Sequence, residues 1–86
     1  MRDVTDVVCL GGTRLKLTFD DGASREIDIA TLTDFEGVFE ALKDPQYFRQ
    51  VRVEPDVGTI VWPNGADFCP DVLFDRSVPS RQQASA

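Results

Sequence analysis

The alternation of apolar and polar positions divides the chain into short elements. From Val4 to Leu10 the residues predict a first strand, ended by the Gly11-Gly12 turn signal. Its two parities are both mixed: Val4, Val8 and Leu10 share one with Asp6, while Val7 and Cys9 share the other with Thr5. No inward face can be assigned, a pattern expected of a strand covered on both sides. Arg14 to Phe19 is clean. Leu15, Leu17 and Phe19 alternate with Arg14, Lys16 and Thr18, as in a half-buried antiparallel strand. Asp20-Asp21-Gly22 then turns the chain into a return strand, Ala23 to Ile29. With Gly22 at the left-handed position of a three-residue loop, Phe19 meets Ala23, Leu15 meets Ile27, Lys16 meets Glu26 and Arg14 meets Asp28. A two-residue Asp21-Gly22 turn would set Leu17 against Glu26 and mix core with surface, so face matching selects the longer loop. The charge pairs tune register by a few tenths of a kcal/mol and carry no catalytic meaning.

Beyond Ala30 the period lengthens. Leu32, Phe35, Val38, Phe39 and Leu42 recur at three- and four-residue steps, as on one helical face. Gly37 interrupts them, which predicts a turn or short helix before it and a helix of about two turns after it. Asp44-Pro45 reads as an N-cap and first helical residue, opening a single turn through Tyr47 and Phe48. Val51–Glu54 and Thr59–Trp62 predict a second hairpin around Pro55-Asp56-Val57-Gly58.

The chain then reaches the stretch around which the rest is organised, Thr59 to Phe74. Trp62 buries a large surface and its indole N–H needs an acceptor. Pro63-Asn64-Gly65 turns the chain, and a short helix opens at Pro70, whose missing N–H has no intrahelical partner at that position. After Arg76 the composition changes to Ser, Pro, Gln and Ala. The expected organisation is one domain over residues 1–76 and a disordered tail over 77–86. The fold class is α+β: a small, mainly antiparallel sheet made of a three-strand N-terminal unit and a second hairpin, with two or three short helices.

Size and charge narrow the function. At 86 residues the chain buries only about 60–65% of its unfolded surface, so covering a further apolar face by a partner or a second copy stabilises it appreciably, and a homodimer is one expectation. Fifteen acidic residues against nine basic ones give a net charge of −6, with no Lys/Arg cluster. That balance repels phosphate backbones and argues against direct nucleic-acid binding. No apolar run approaches the ~20 residues of a membrane span, and the N-terminal residues lack the apolar core of a secretory signal. Two cysteines far apart, without CxxC spacing, read as reduced thiols of a cytoplasmic protein.

The sequence contains no histidine. The commonest general base and metal ligand is therefore missing, and Ser-His and Cys-His nucleophile pairs cannot form within the chain. Gly11-Gly12 lacks the flanking pattern of a phosphate-binding loop. The remaining constellation is Asn64, Asp67 and Asp71, with Cys69 between the acids. Such oxygen-rich residues could hold Mg²⁺ or Ca²⁺, although their spacing matches no EF-hand loop. The architectural reading carries more weight: Asn64 serves the turn, Asp67 bonds local backbone N–H groups, and Asp71 sits in the first helical turn. A helix N-terminus lowers a thiol pKa, but the flanking carboxylates of Cys69 act the other way. The expectation is thus no catalytic residue, no cofactor and no metal, with Trp62, Pro63, Asn64, Gly65, Asp67, Cys69, Pro70 and Asp71 as structural or interaction candidates.

The sequence resembles a bacterial family, domain of unknown function 2442. The likeness is carried by residues 15–22 (LKLTFDDG), 37–45 (GVFEALKDP), Tyr47-Phe48, residues 58–67 (GTIVWPNGAD) and Pro70-Asp71-Val72-Leu73. The resemblance implies an α+β fold with a small antiparallel sheet and no established activity. Family members occur free-standing, fused to a helix-turn-helix, or beside another small family in arrangements resembling toxin–antitoxin pairs. A helix-turn-helix is not expected within this chain. These contexts imply a cytoplasmic protein-binding or regulatory module, the antitoxin-like half of a two-gene pair, whose partner is the product of an adjacent gene. One alternative is a small metal-dependent enzyme or site using Asn64, Asp67 and Asp71. Another is an acidic phage-type inhibitor that imitates nucleic acid, which requires its carboxylates on one face.

Overall fold

The computed structural model describes residues 3–80. Six strands form two antiparallel sheets: β1 (Val4–Gly11), β2 (Arg14–Phe19), β3 (Ser24–Asp28), β4 (Arg52–Glu54), β5 (Thr59–Val61) and β6 (Val78–Pro79). The larger sheet has the order β1-β2-β3-β6, and β4 pairs with β5 in the smaller one. Two short α-helices, α1 (Pro45–Phe48) and α2 (Pro70–Arg76), and two 3₁₀ segments, Ile29–Thr31 and Gly37–Lys43, complete the α+β fold.

The β2–β3 hairpin has the register that face matching selects. Leu15 pairs with Ile27, Lys16 with Glu26 and Arg14 with Asp28. Gly22 has φ 86°, and the Phe19 and Ala23 backbones bond at 2.9 Å. The side-chain partners differ from the backbone pairs, however. Arg14 reaches diagonally to Glu26 at 3.3 Å, while the Asp28 carboxylate accepts from Thr13 Oγ1 and from the Ala30 N–H. A long guanidinium stem spans a diagonal easily, and the short Asp28 side chain caps the 3₁₀ turn beginning at its own neighbour.

The mixed parity of β1 has a physical cause. Val4 pairs with Phe19 but Asp6 with Thr18, so Thr5 is an extra residue that shifts the register. A bulge of this kind moves the following side chains to the opposite face. Val4 is buried on one side of it, and Val7 and Cys9, of the other parity, pack against the same core. Val8 is left 47% exposed. The strand thus has one inward face interrupted by a bulge, and burial on both sides is not its explanation.

Between residues 32 and 43 the helical expectation holds only from Gly37 onward. Residues 33–36 are irregular, the 3₁₀ turn before them covers Ile29–Thr31, and a seven-residue 3₁₀ segment begins at Gly37. In 3₁₀ geometry residues three apart lie above one another. Phe39 and Leu42 therefore face the core together, whereas Val38, one position off that ridge, is 46% exposed. Phe35 adopts φ 59°, and its N–H donates to Thr33 Oγ1.

The expected disordered tail starts too early. Ser77 and Ser80 are buried, and Val78–Pro79 pair with Glu26 and Arg25 as β6. Hydrogen bonds hold this segment: Arg25 donates to Ser77 Oγ and to the Ser77 carbonyl, both at 2.7 Å, and the Ser80 N–H donates to Ser24 O at 2.9 Å. The Arg25 guanidinium also lies 4.3 Å from the centre of the Phe74 ring. A segment secured by polar contacts leaves no hydrophobic periodicity by which composition could reveal it. The rest of the expected tail, 81–86, lies outside the described residues.

The core joins the inner face of the large sheet (Val4, Leu15, Leu17, Phe19, Ile27) to Leu42, Phe48, Ile60, Trp62, Ala66 and Leu73. Phe19 meets Phe74 of α2 edge-on at 5.1 Å. The two sheets are tied together at one end, where the Val4 N–H donates to the Gly58 carbonyl at 2.8 Å.

Candidate functional site

Two regions draw together the residues with chemical potential. The first is the corner that follows β5. Trp62 is 1% exposed, and its indole Nε1–H donates to the Phe48 carbonyl at 2.9 Å. Its ring packs against Phe48 and Phe68. Burial of so large a side chain contributes roughly 4–6 kcal/mol before entropy is counted. The turn closes with the Gly65 N–H on Trp62 O and the Trp62 N–H on Ala66 O, each 2.9 Å. Gly65, at φ 90°, supplies the left-handed residue this turn requires. Asn64 uses both ends of its amide: Oδ1 accepts from the Ala66 N–H at 3.0 Å and Nδ2 donates to Val38 O at 2.9 Å. It therefore binds the turn to the second 3₁₀ segment.

The acids and thiol nearby are arranged differently. Asp67 forms a backbone bridge with Val61. Its exposed carboxylate makes no hydrogen bond among the described residues, contrary to the local N–H bonding expected for it. Thr59 Oγ1 donates instead to the Phe68 carbonyl at 2.5 Å and secures the segment from the inside. Cys69 is the N-cap of α2, exposed and without a side-chain capping bond, and Pro70 is the first helical residue. Asp71 lies in the first turn, where its charge complements the helix dipole. Among the described residues, no three His, Cys, Asp or Glu side chains converge as a cation site. Asn64 is exposed but spends both ends of its amide on the fold.

The second region was not singled out by the sequence. At the far end of β1 from the Val4–Gly58 tie, a cleft of about 280 Å³ separates the strand from α1. Cys9, Leu10, Gly11 and Gly12 line one wall; Pro45, Phe48 and Arg49 line the other. Burial raises the Cys9 thiol above the usual range, and the nearby Arg49 guanidinium opposes this more weakly. Cys9 is accordingly a protonated thiol at neutral pH and a poor nucleophile. The Arg49 guanidinium forms no ion pair among the described residues. The broken alternation along β1 was the only sequence signal for this place; nothing marked Arg49 as its neighbour.

The comparison with known families decides the relationship. The model of DUF2442, described as a protein of unknown function, matches residues 4–79. The chain belongs to the DUF2442 family. The match begins at the first residue of β1 and ends at the last of β6, so it takes in both sheets and both α-helices. For this DUF2442 member no curated protein and no solved structure gives a match. Among the described residues no helix is long and apolar enough to cross a membrane.

Proposed function

We propose that the chain is a protein-binding or regulatory module that uses the β1 edge of its larger sheet. The observation behind this reading is the inequality of the two sheet edges. β6 is two residues long and ends in Pro79, which has no N–H to donate. β1 runs for eight residues and is the last strand on its side. Among the described residues, its only cross-sheet backbone bond is the one from Val4 to Gly58. The β4–β5 hairpin packs beside the Val4 end of this strand. The stretch offered to an incoming strand is therefore its Gly11 end, where nothing lies within 4 Å of where a Cβ would stand; main-chain pairing supplies affinity in such complexes. The role we assign is the antitoxin-like half of a two-gene pair in the cytoplasm.

The test is affinity purification of the full chain from its own cell, followed by reconstitution with the purified product of the adjacent gene. A stoichiometric complex is expected. Val8→Glu should abolish it, because a charge on the exposed edge opposes strand addition while Lys16, paired with Val8 across β1–β2, tolerates the new carboxylate within the fold. Recovery of the chain alone and monodisperse, or a complex indifferent to Val8→Glu, would refute the reading.

A further inference from the structure

We propose that the cleft between β1 and α1 receives an extended segment of a partner protein, with an acidic side chain on Arg49 and an adjacent apolar side chain against Pro45. This rests on the protein-binding reading and assigns the partner's chemistry.

Three features of the cleft carry it. First, Gly11 and Gly12 leave the end of one wall without side chains, and no atom outside their chain neighbours lies within 4 Å of where a Cβ would stand on either. An incoming main chain can therefore approach the end of β1 closely. Second, the other wall presents the exposed Pro45 ring beside Arg49, while the Phe48 side chain behind it is buried in the core. Third, the local charge is unmatched. Arg14 and Arg52 are paired with Glu26 and Glu54, and Arg25 is held by Ser77 and Phe74. Arg49 has no such partner among the described residues, in a chain of net charge −6. The nearest acid along the chain at this wall, Asp44, accepts the Gln46 N–H as the cap of α1. Lys43 and Arg76 also form no ion pair among the described residues, but neither lines this cleft. Within the cleft, Arg49 is therefore the charge that a strand carrying one carboxylate would meet.

Cys9, in the wall, is a built-in reporter, and exposed Cys69 is its internal reference. The probe is the capped hexapeptide Thr-Val-Thr-Glu-Val-Thr, compared with its Gln counterpart, during alkylation of the full chain by iodoacetamide and mass-spectrometric readout of each cysteine. The Glu peptide should slow alkylation of Cys9 in a saturable way and leave Cys69 unchanged. The Gln peptide, or the Glu peptide with an Arg49→Gln chain, should need about tenfold higher concentration for the same protection, as expected for loss of one charge-assisted pair. Equal protection by both peptides, no protection by either, or equal slowing of both cysteines would overturn the inference. Each of these leaves the β1-edge reading standing, because that reading is judged separately by the Val8→Glu complex.

Discussion

The Trp62 corner and the β1–α1 cleft share one residue and use it in opposite ways. Phe48 gives its carbonyl to the Trp62 indole and packs its ring against it; it also forms part of the cleft wall. On the corner side, the indole N–H, the Asn64 amide and the turn's backbone groups all find partners inside the molecule. On the cleft side, Arg49 has no ion pair among the described residues and the end of β1 adjoins no further strand. The contrast teaches that polarity alone does not mark a site. Asn64 is chemically capable but already occupied, whereas Arg49 retains its capacity for an anion because nothing in the fold neutralises it.

Substitutions can break this contrast, beginning at the corner. Trp62→Ala removes the largest buried side chain and leaves the Phe48 carbonyl without its donor. Urea denaturation should show a loss of about 3–5 kcal/mol, a large share of a small domain's total stability. Should the loss be under about 1 kcal/mol, comparable to an ordinary surface change, the corner would not hold the core together. Asn64→Ala removes two hydrogen bonds at the exposed rim of the turn. The expected cost in the same assay is about 1–2 kcal/mol.

The cleft should behave differently. Arg49→Gln should alter the unfolding free energy by less than about 0.5 kcal/mol, as for surface positions without structural partners. A substantially larger loss would show that Arg49 serves the fold. The smallest effect is a difference between the two thiols of the unmodified chain. Burial raises the pKa of Cys9, so at neutral pH less of it is thiolate, and the cleft wall also limits access. Iodoacetamide should consume Cys69 first, and Cys9 should catch up only as the pH is raised into the alkaline range. Equal rates at neutral pH would contradict the described burial of Cys9.

The hairpin from Arg14 to Asp28 and the cap at Asp44 were legible because each depends on neighbours close in sequence: strict alternation, a glycine in a short loop, an Asp before a proline. The Trp62 indole's need for an acceptor was equally legible, although Phe48 as its provider was not. β1 misled because its bulge is defined only against β2. Ser77–Ser80 misled because it is retained by Arg25 and Ser24, more than fifty residues earlier in the chain.

By itself, the sequence determined the α+β class, the register of the central hairpin, the absence of any histidine-based chemistry and the turn at Asn64-Gly65. Only the tertiary structure decided which polar groups are consumed by the fold and which remain. It bonded Asn64 to Val38, closed one sheet edge with Pro79, and set Arg49 across from Cys9 at the other. The reason is geometric. Local periodicity fixes the direction of a side chain relative to its own strand or helix, but its partner is whatever distant segment the packed core brings within hydrogen-bonding reach.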